Sequence, residues 1–175
     1  MGSPETILRT ANGRRIVPAM LLTVLASVHG YVAALSVALC LHPWFALRKA
    51  RRPSNATRLS GYLASGGIIL TNVAGWVIYP AYRELVKLDL YRHARPIGLL
   101  FEVKEHIAWF ALALAVAGAV FMAAATGARG VTLRRPIRTI YGLVFLLSLV
   151  VGVLGVWVSS VNGFERALDP LVHGG

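Results

Sequence analysis

Four ionisable side chains crowd the first third of an otherwise apolar run. Glu102, Lys104, Glu105 and His106 all lie within residues 98–126. Charged groups at membrane depth are costly, so they ordinarily face a protein interior, water or a cofactor. At helical spacing Glu102, His106, Trp109 and Ala113 stand at i, i+4, i+7 and i+11, and therefore share one face.

Three chemistries suit these residue types. Glu102 and His106, at i and i+4, can share one metal ion with His29 completing the shell; carboxylate with imidazole suits iron, manganese or zinc. A carboxylate beside a histidine at the membrane edge can take the protons of a quinol as it is oxidised, which would make Glu102 and Glu105 the proton-handling residues. Two neutral imidazoles on separate helices can ligate a b-type haem. The pair of similar depth is His29 and His106, which differ by roughly 6 Å along parallel helices at 1.5 Å per residue. Around such a haem, Trp109 would pack the ring edge, Asn72 is the polar interior side chain of the neighbouring block, and Arg15, Arg95 or Lys104 would meet the propionates.

Each residue also has a plainer reading. A histidine inside a membrane helix commonly bonds a neighbouring helix or a backbone carbonyl. Lys104 and Glu105 suit interfacial ion pairs, Glu105 with Arg95 or Lys104, because long side chains reach toward the interface.

The elements that must position these groups are apolar blocks. Hydrophobic residues make up 57% of the 175-residue chain and charged ones 14%, against about 25% charged in a soluble domain. Four blocks are long enough to cross about 30 Å of hydrocarbon as helices: residues 16–41, 59–82, 98–126 and 137–160. The first is expected to end at His42-Pro43, because proline pushes its predecessor out of helical geometry. Residues 83–96 are too short and charged to span, and read as a surface segment. Block two carries Ser60, Ala64, Gly67, Thr71 and Gly75 at steps of three and four, and block four carries Ser148, Gly152, Gly155 and Ser159. Small-residue stripes let a helix or a flat cofactor approach the backbone closely. Short links between successive spans predict an all-α integral membrane protein, one up-down-up-down bundle over residues 1–175. In this outline the chain resembles small four-helix membrane cytochromes b, although it carries no specific signature of theirs.

Composition narrows the classes. The net charge is +11, from 18 Lys and Arg against 7 Asp and Glu. The basic residues cluster between apolar blocks, where anionic headgroups account for them without nucleic acid. The links after blocks one and three hold nine basic residues and no acid, and the rest of the chain holds the other nine; short links close to membrane ends weigh most, which favours those links inside and both termini outside a bacterial cytoplasmic membrane. A single cysteine, Cys40, rules out an intramolecular disulfide and thiol-pair redox chemistry in this chain alone. No Cys-x-x-Cys-His site for c-type haem and no phosphate-binding glycine loop occur. Blocks one, two and four offer no interior acids, which argues against a di-metal oxidase.

Two functions from different classes follow. The first is a b-type cytochrome-like electron-transfer protein or subunit, a quinol-linked oxidoreductase component, with one haem between His29 and His106. It would be coupled to the quinone pool, and would act within a larger membrane complex or with an electron-transfer protein at the outer surface. The second is a non-redox four-helix assembly subunit or small transporter, whose polar cluster fixes helix packing.

Overall fold

A computed structural model describes residues 19–161. The described residues form helices and no strand: α1 Ala19–Lys49, α2 Asn55–Tyr82, a π-helical turn Arg83–Lys87, α3 Leu88–His93, α4 Arg95–Ala124 and α5 Arg129–Val161. Four of these, over Leu21–Lys49, Asn55–Tyr82, Arg95–Ala124 and Arg129–Ser160, are long and apolar enough to cross a membrane. Their outer surfaces are apolar, with Tyr31, Phe110 and Val156 each more than two-thirds exposed at 79%, 68% and 74%. Such a surface suits lipid and would be a liability in water.

The helices are longer than the apolar blocks. α1 continues through Pro43 to Lys49 instead of ending at His42-Pro43. Proline removes one backbone donor, and tertiary packing here offsets the loss. Pro43 is fully buried, and the Trp44 indole lies against Phe145 at 5.7 Å between ring centroids. Gly142 leaves the space for that indole: a Cβ there would sit 2.9 Å from Trp44 Nε1. Likewise α5 begins at Arg129, so most of the basic link expected before residue 137 is helical. α2 starts where Ser54 accepts the Thr57 amide at 3.2 Å, the usual serine cap. α4 starts after Ala94, whose backbone breaks the helix (φ −146, ψ 58), with Pro96 in the first turn.

Buried side chains gather at two levels. One cluster joins Leu22 early in α1, Ala81 late in α2, Phe101 early in α4 and Val158 late in α5. The other joins Leu47 of α1, Ala64 of α2, Met122 of α4 and Tyr141 of α5. α1 packs mainly on α2 and α5, and α4 on α5 and α2.

Residues 83–96 do more than lie on a surface. The π turn carries α2 directly into α3, and the Leu88 amide reaches the Arg83 carbonyl five residues back. The extra residue in that turn sets Ala81, Val86 and Leu90 on one line at steps of five and four. Val86 and Leu90, 0% and 2% exposed, join the first cluster and close the end of the bundle.

Candidate functional site

Lys87 is the hub of the polar cluster. Its Nζ stands 3.2 Å from Glu105 Oε2 and 3.5 Å from Glu102 Oε1, and donates to the Tyr79 hydroxyl at 3.3 Å. The ammonium also lies over the Phe101 ring, 5.4 Å from its centroid. Tyr91 completes the ring of neighbours, with its phenol beside the Glu102 carboxylate. Burial alone would lower the Lys87 pKa, but the hydrogen bonds to Tyr79 and Glu105 and the Glu105 charge raise it. The Tyr91 phenol is raised too, first by the Glu102 carboxylate and then by burial. Both effects hold the protons in place. The two carboxylates are thus fixed acceptors for one lysine, and they pin the π turn to the start of α4.

Sequence spacing gave no hint of Lys87. It lies beyond the Ala94 break, at no helical offset from Glu102 or Glu105, and only the turn between α2 and α4 brings it there. The pairings expected for Glu105 with Arg95 or Lys104 give way to Lys87 among the described residues.

His29 and Thr71 tie α1 to α2: the imidazole Nδ1 donates to the Thr71 carbonyl at 2.9 Å. Gly75 accommodates the ring, since a Cβ there would lie 3.3 Å from His29 Cε1. The same stripe on α2 continues this role. Gly67 faces Ser36, whose Oγ a Cβ at Gly67 would overlap, and Ser60 shares a 2.6 Å hydrogen bond with His42. The stripe therefore receives α1, residue by residue. Asn72 donates to the Ile68 carbonyl of its own helix at 2.9 Å.

His106 lies elsewhere. It is exposed, and its Nδ1 donates to the Glu102 main-chain carbonyl at 2.8 Å. Its face is the outer one: Trp109 is 54% exposed and Phe110 68%. Trp109 meets Trp76 of α2 at 5.2 Å between centroids, also on the outside. The inward face of α4 runs through Phe101, Ala111, Ala115, Gly118 and Met122, and at 100° per residue His106 points about 170° away from it. His29 and His106 consequently belong to helices that are not principal packing partners, and they face different surroundings.

The signal that marks the inward face is a stripe of small residues at alternating steps of three and four, Ala108, Ala111, Ala115 and Gly118. Lys104 falls on the same line. Its ammonium lies 4.5 Å from the Phe101 ring centroid and beside Gly155 of α5.

Haem ligation by the two histidines can be tested against this geometry. Each Nδ1–H is committed to a carbonyl, which leaves Nε2 as the lone-pair nitrogen of the neutral ring. That arrangement suits a ligand. The orientation does not, because one haem between them would need His106 turned by about half a helical turn. Among the described residues no three histidine, cysteine, aspartate or glutamate side chains gather in a way that would hold a metal ion. His173, Arg9, Arg15 and the last fourteen residues lie outside the described region.

No protein-family model matches the chain, and neither does any curated protein or solved structure.

Proposed function

We propose that this chain is a non-redox assembly subunit of the bacterial cytoplasmic membrane. It is an up-down-up-down bundle whose interior polar groups hold the helices together and whose outer face on α2 and α4 receives another membrane protein. The observation that carries this reading is the outward placement of His106 beside Trp109 and Trp76. His106 stands eleven residues after Arg95, roughly 16 Å along the helix axis. An imidazole facing acyl chains at such a depth is costly, and a polar group on a partner helix would relieve that cost. By contrast, His29, Glu102 and Glu105 already have partners from this chain. The links after α1 and α4 carry the acid-free basic residues, which supports both termini on the outer side.

A haem reading retains one supporting observation, the free Nε2 implied on both histidines. In that case the chain would pass electrons between the quinone pool and a partner, with Glu102 and Glu105 taking protons.

Extraction of the protein from its native membrane in mild detergent separates the two. The assembly reading expects a particle larger than one chain, which loses its partner on His106→Leu or Trp109→Ala, and no b-type band in a reduced-minus-oxidised spectrum. A single-chain particle would refute it. One b-type haem per chain, lost in both His29→Ala and His106→Ala, would establish the redox reading instead.

A further inference from the structure

The arginines at the α1–α2 and α4–α5 links form two clefts rather than a diffuse basic surface. Each cleft has a volume of about 520 Å³. The first is lined by Arg52 and Arg58 together with the start of α2 and the end of α4. The second is lined by Arg51, Arg134 and Arg135 beside Val131. Neither lining contains an acid, and no acid occurs anywhere in residues 42–58 or 126–138.

Two of these guanidiniums are held rigidly by neutral groups. Arg58 donates to the Met122 carbonyl at 3.0 Å and to the Ala125 carbonyl. Arg134 donates to the Ala50 carbonyl at 3.2 Å. Carbonyls orient a guanidinium without cancelling its charge, so the positive potential of both clefts is left standing and its geometry is set in advance. Arg51, Arg52 and Arg135 are exposed at the mouths. A guanidinium fork matches phosphate oxygens in pairs.

The surroundings decide which phosphate. Both clefts lie at the ends of membrane-spanning helices, at the level where Trp44 stacks with Phe145 and Arg48 covers the Trp44 ring at 5.1 Å. Val131, 55% exposed, and Leu59, 60% exposed, continue each basic patch into apolar surface. A phosphate with hydrocarbon attached would fill both kinds of surface at once. We infer that these two clefts are binding sites for the phosphate headgroups of anionic phospholipids, one lipid in each. The inference rests on the membrane-spanning helices and is independent of the assembly reading.

The test uses the full-length protein in a neutral detergent. Dioleoyl phosphatidylglycerol, dioleoyl phosphatidylcholine and sodium phosphate at matched ionic strength are each titrated, with bound lipid counted by native mass spectrometry. Saturation by two phosphatidylglycerol molecules is expected, with little retention of phosphatidylcholine. The double variant Arg51→Gln/Arg135→Gln should lose one of the two molecules, with affinity at that cleft falling about fivefold per arginine. Arg52→Gln should weaken the other. Arg83→Gln/Arg92→Gln removes equal charge from the opposite end and should change neither. Equal retention of phosphatidylcholine would overturn the inference. So would loss of phosphatidylglycerol only in the Arg83/Arg92 control. Displacement of the lipid by low phosphate concentrations would reassign the clefts to a free anion.

Discussion

Tyr141 of α5 donates its hydroxyl to the carbonyl of Gly61 in α2 at 2.9 Å, with neither group exposed to lipid or water. Ser65 shares the same hydroxyl at 3.1 Å. Gly61 is what makes the contact fit, because a Cβ there would lie 2.9 Å from the Tyr141 oxygen and 2.8 Å from Met122 Cε. One glycine thus lets three helices meet around one phenol. Tyr141→Phe should keep the packing and lose both bonds, at a cost of about 1 kcal/mol. Gly61→Ala should cost more, because Met122 and Tyr141 must both move. Thermal unfolding in detergent ranks the two; Gly61→Ala no worse than Tyr141→Phe would contradict the geometry.

The approach of α1 to α2 at Ser36 and Gly67 offers a coupling test. Gly67→Ala places a methyl on the Ser36 hydroxyl and should destabilise the bundle by roughly 1–3 kcal/mol. Ser36→Ala removes the oxygen in the way, along with its 2.6 Å bond to the Val32 carbonyl. The double variant should therefore recover part of the loss. Strict additivity in a double-mutant cycle would mean that the two residues do not touch.

Lys87 should act as an alkaline latch. Its pKa and that of Tyr91 are both raised in the folded protein. A raised value means that the folded state holds its protons more tightly than the unfolded chain. The stabilisation is then complete below the ordinary lysine and tyrosine values, and it is lost as pH climbs through the folded ones. Amide protection across residues 83–95, referred to the intrinsic exchange rate at each pH, should stay flat through neutral pH and fall above about pH 10. Lys87→Met should raise exchange there at pH 7 and cost about 1 kcal/mol. Uniform protection of this segment from pH 7 to pH 11 would count against the latch.

His29 and His106 should separate cleanly by phenotype. His29→Leu breaks the tie to Thr71 and should lower stability by about 1 kcal/mol in the isolated chain. His106 is exposed and bonds its own helix, so His106→Leu should leave that stability unchanged or slightly raised. Its effect belongs to the particle extracted from native membranes, whose size should fall. Equal destabilisation by both variants would place His106 inside the bundle after all.

The four spans were legible because a bilayer sets their length and demands apolar residues over it. The polar positions in them were legible for the same reason, since each stands out against its surroundings. Orientation was harder to read. In water an apolar stripe marks the inward face; in lipid both faces of α4 are apolar, and hydropathy cannot separate Trp109 from Ala111. Residue size can, and Ala108, Ala111, Ala115 and Gly118 point inward where Glu102, His106 and Trp109 do not. The small-residue stripe of α2 was legible as a close-approach surface, and the structure fills it with α1. Pro43 misled as a boundary because the packing of Trp44 on Gly142 and Phe145 appears only in three dimensions. Lys87 was hidden by a break in the chain that no periodicity crosses.

The π turn between α2 and α3 makes this end of the protein sensitive to counting. A regular α-helix leaving Ala81 would bring positions 85 and 89 onto the inward line, and the sequence has an aspartate at 89. The five-residue step puts Val86 and Leu90 there instead. Inserting one residue between Tyr82 and Leu85, with the five-residue step kept, would thus offer a carboxylate to an apolar interior and swing the Lys87 ammonium away from Glu102 and Glu105 by about 100°. The segment would keep almost all of its composition and lose its meaning, because what it encodes is a phase.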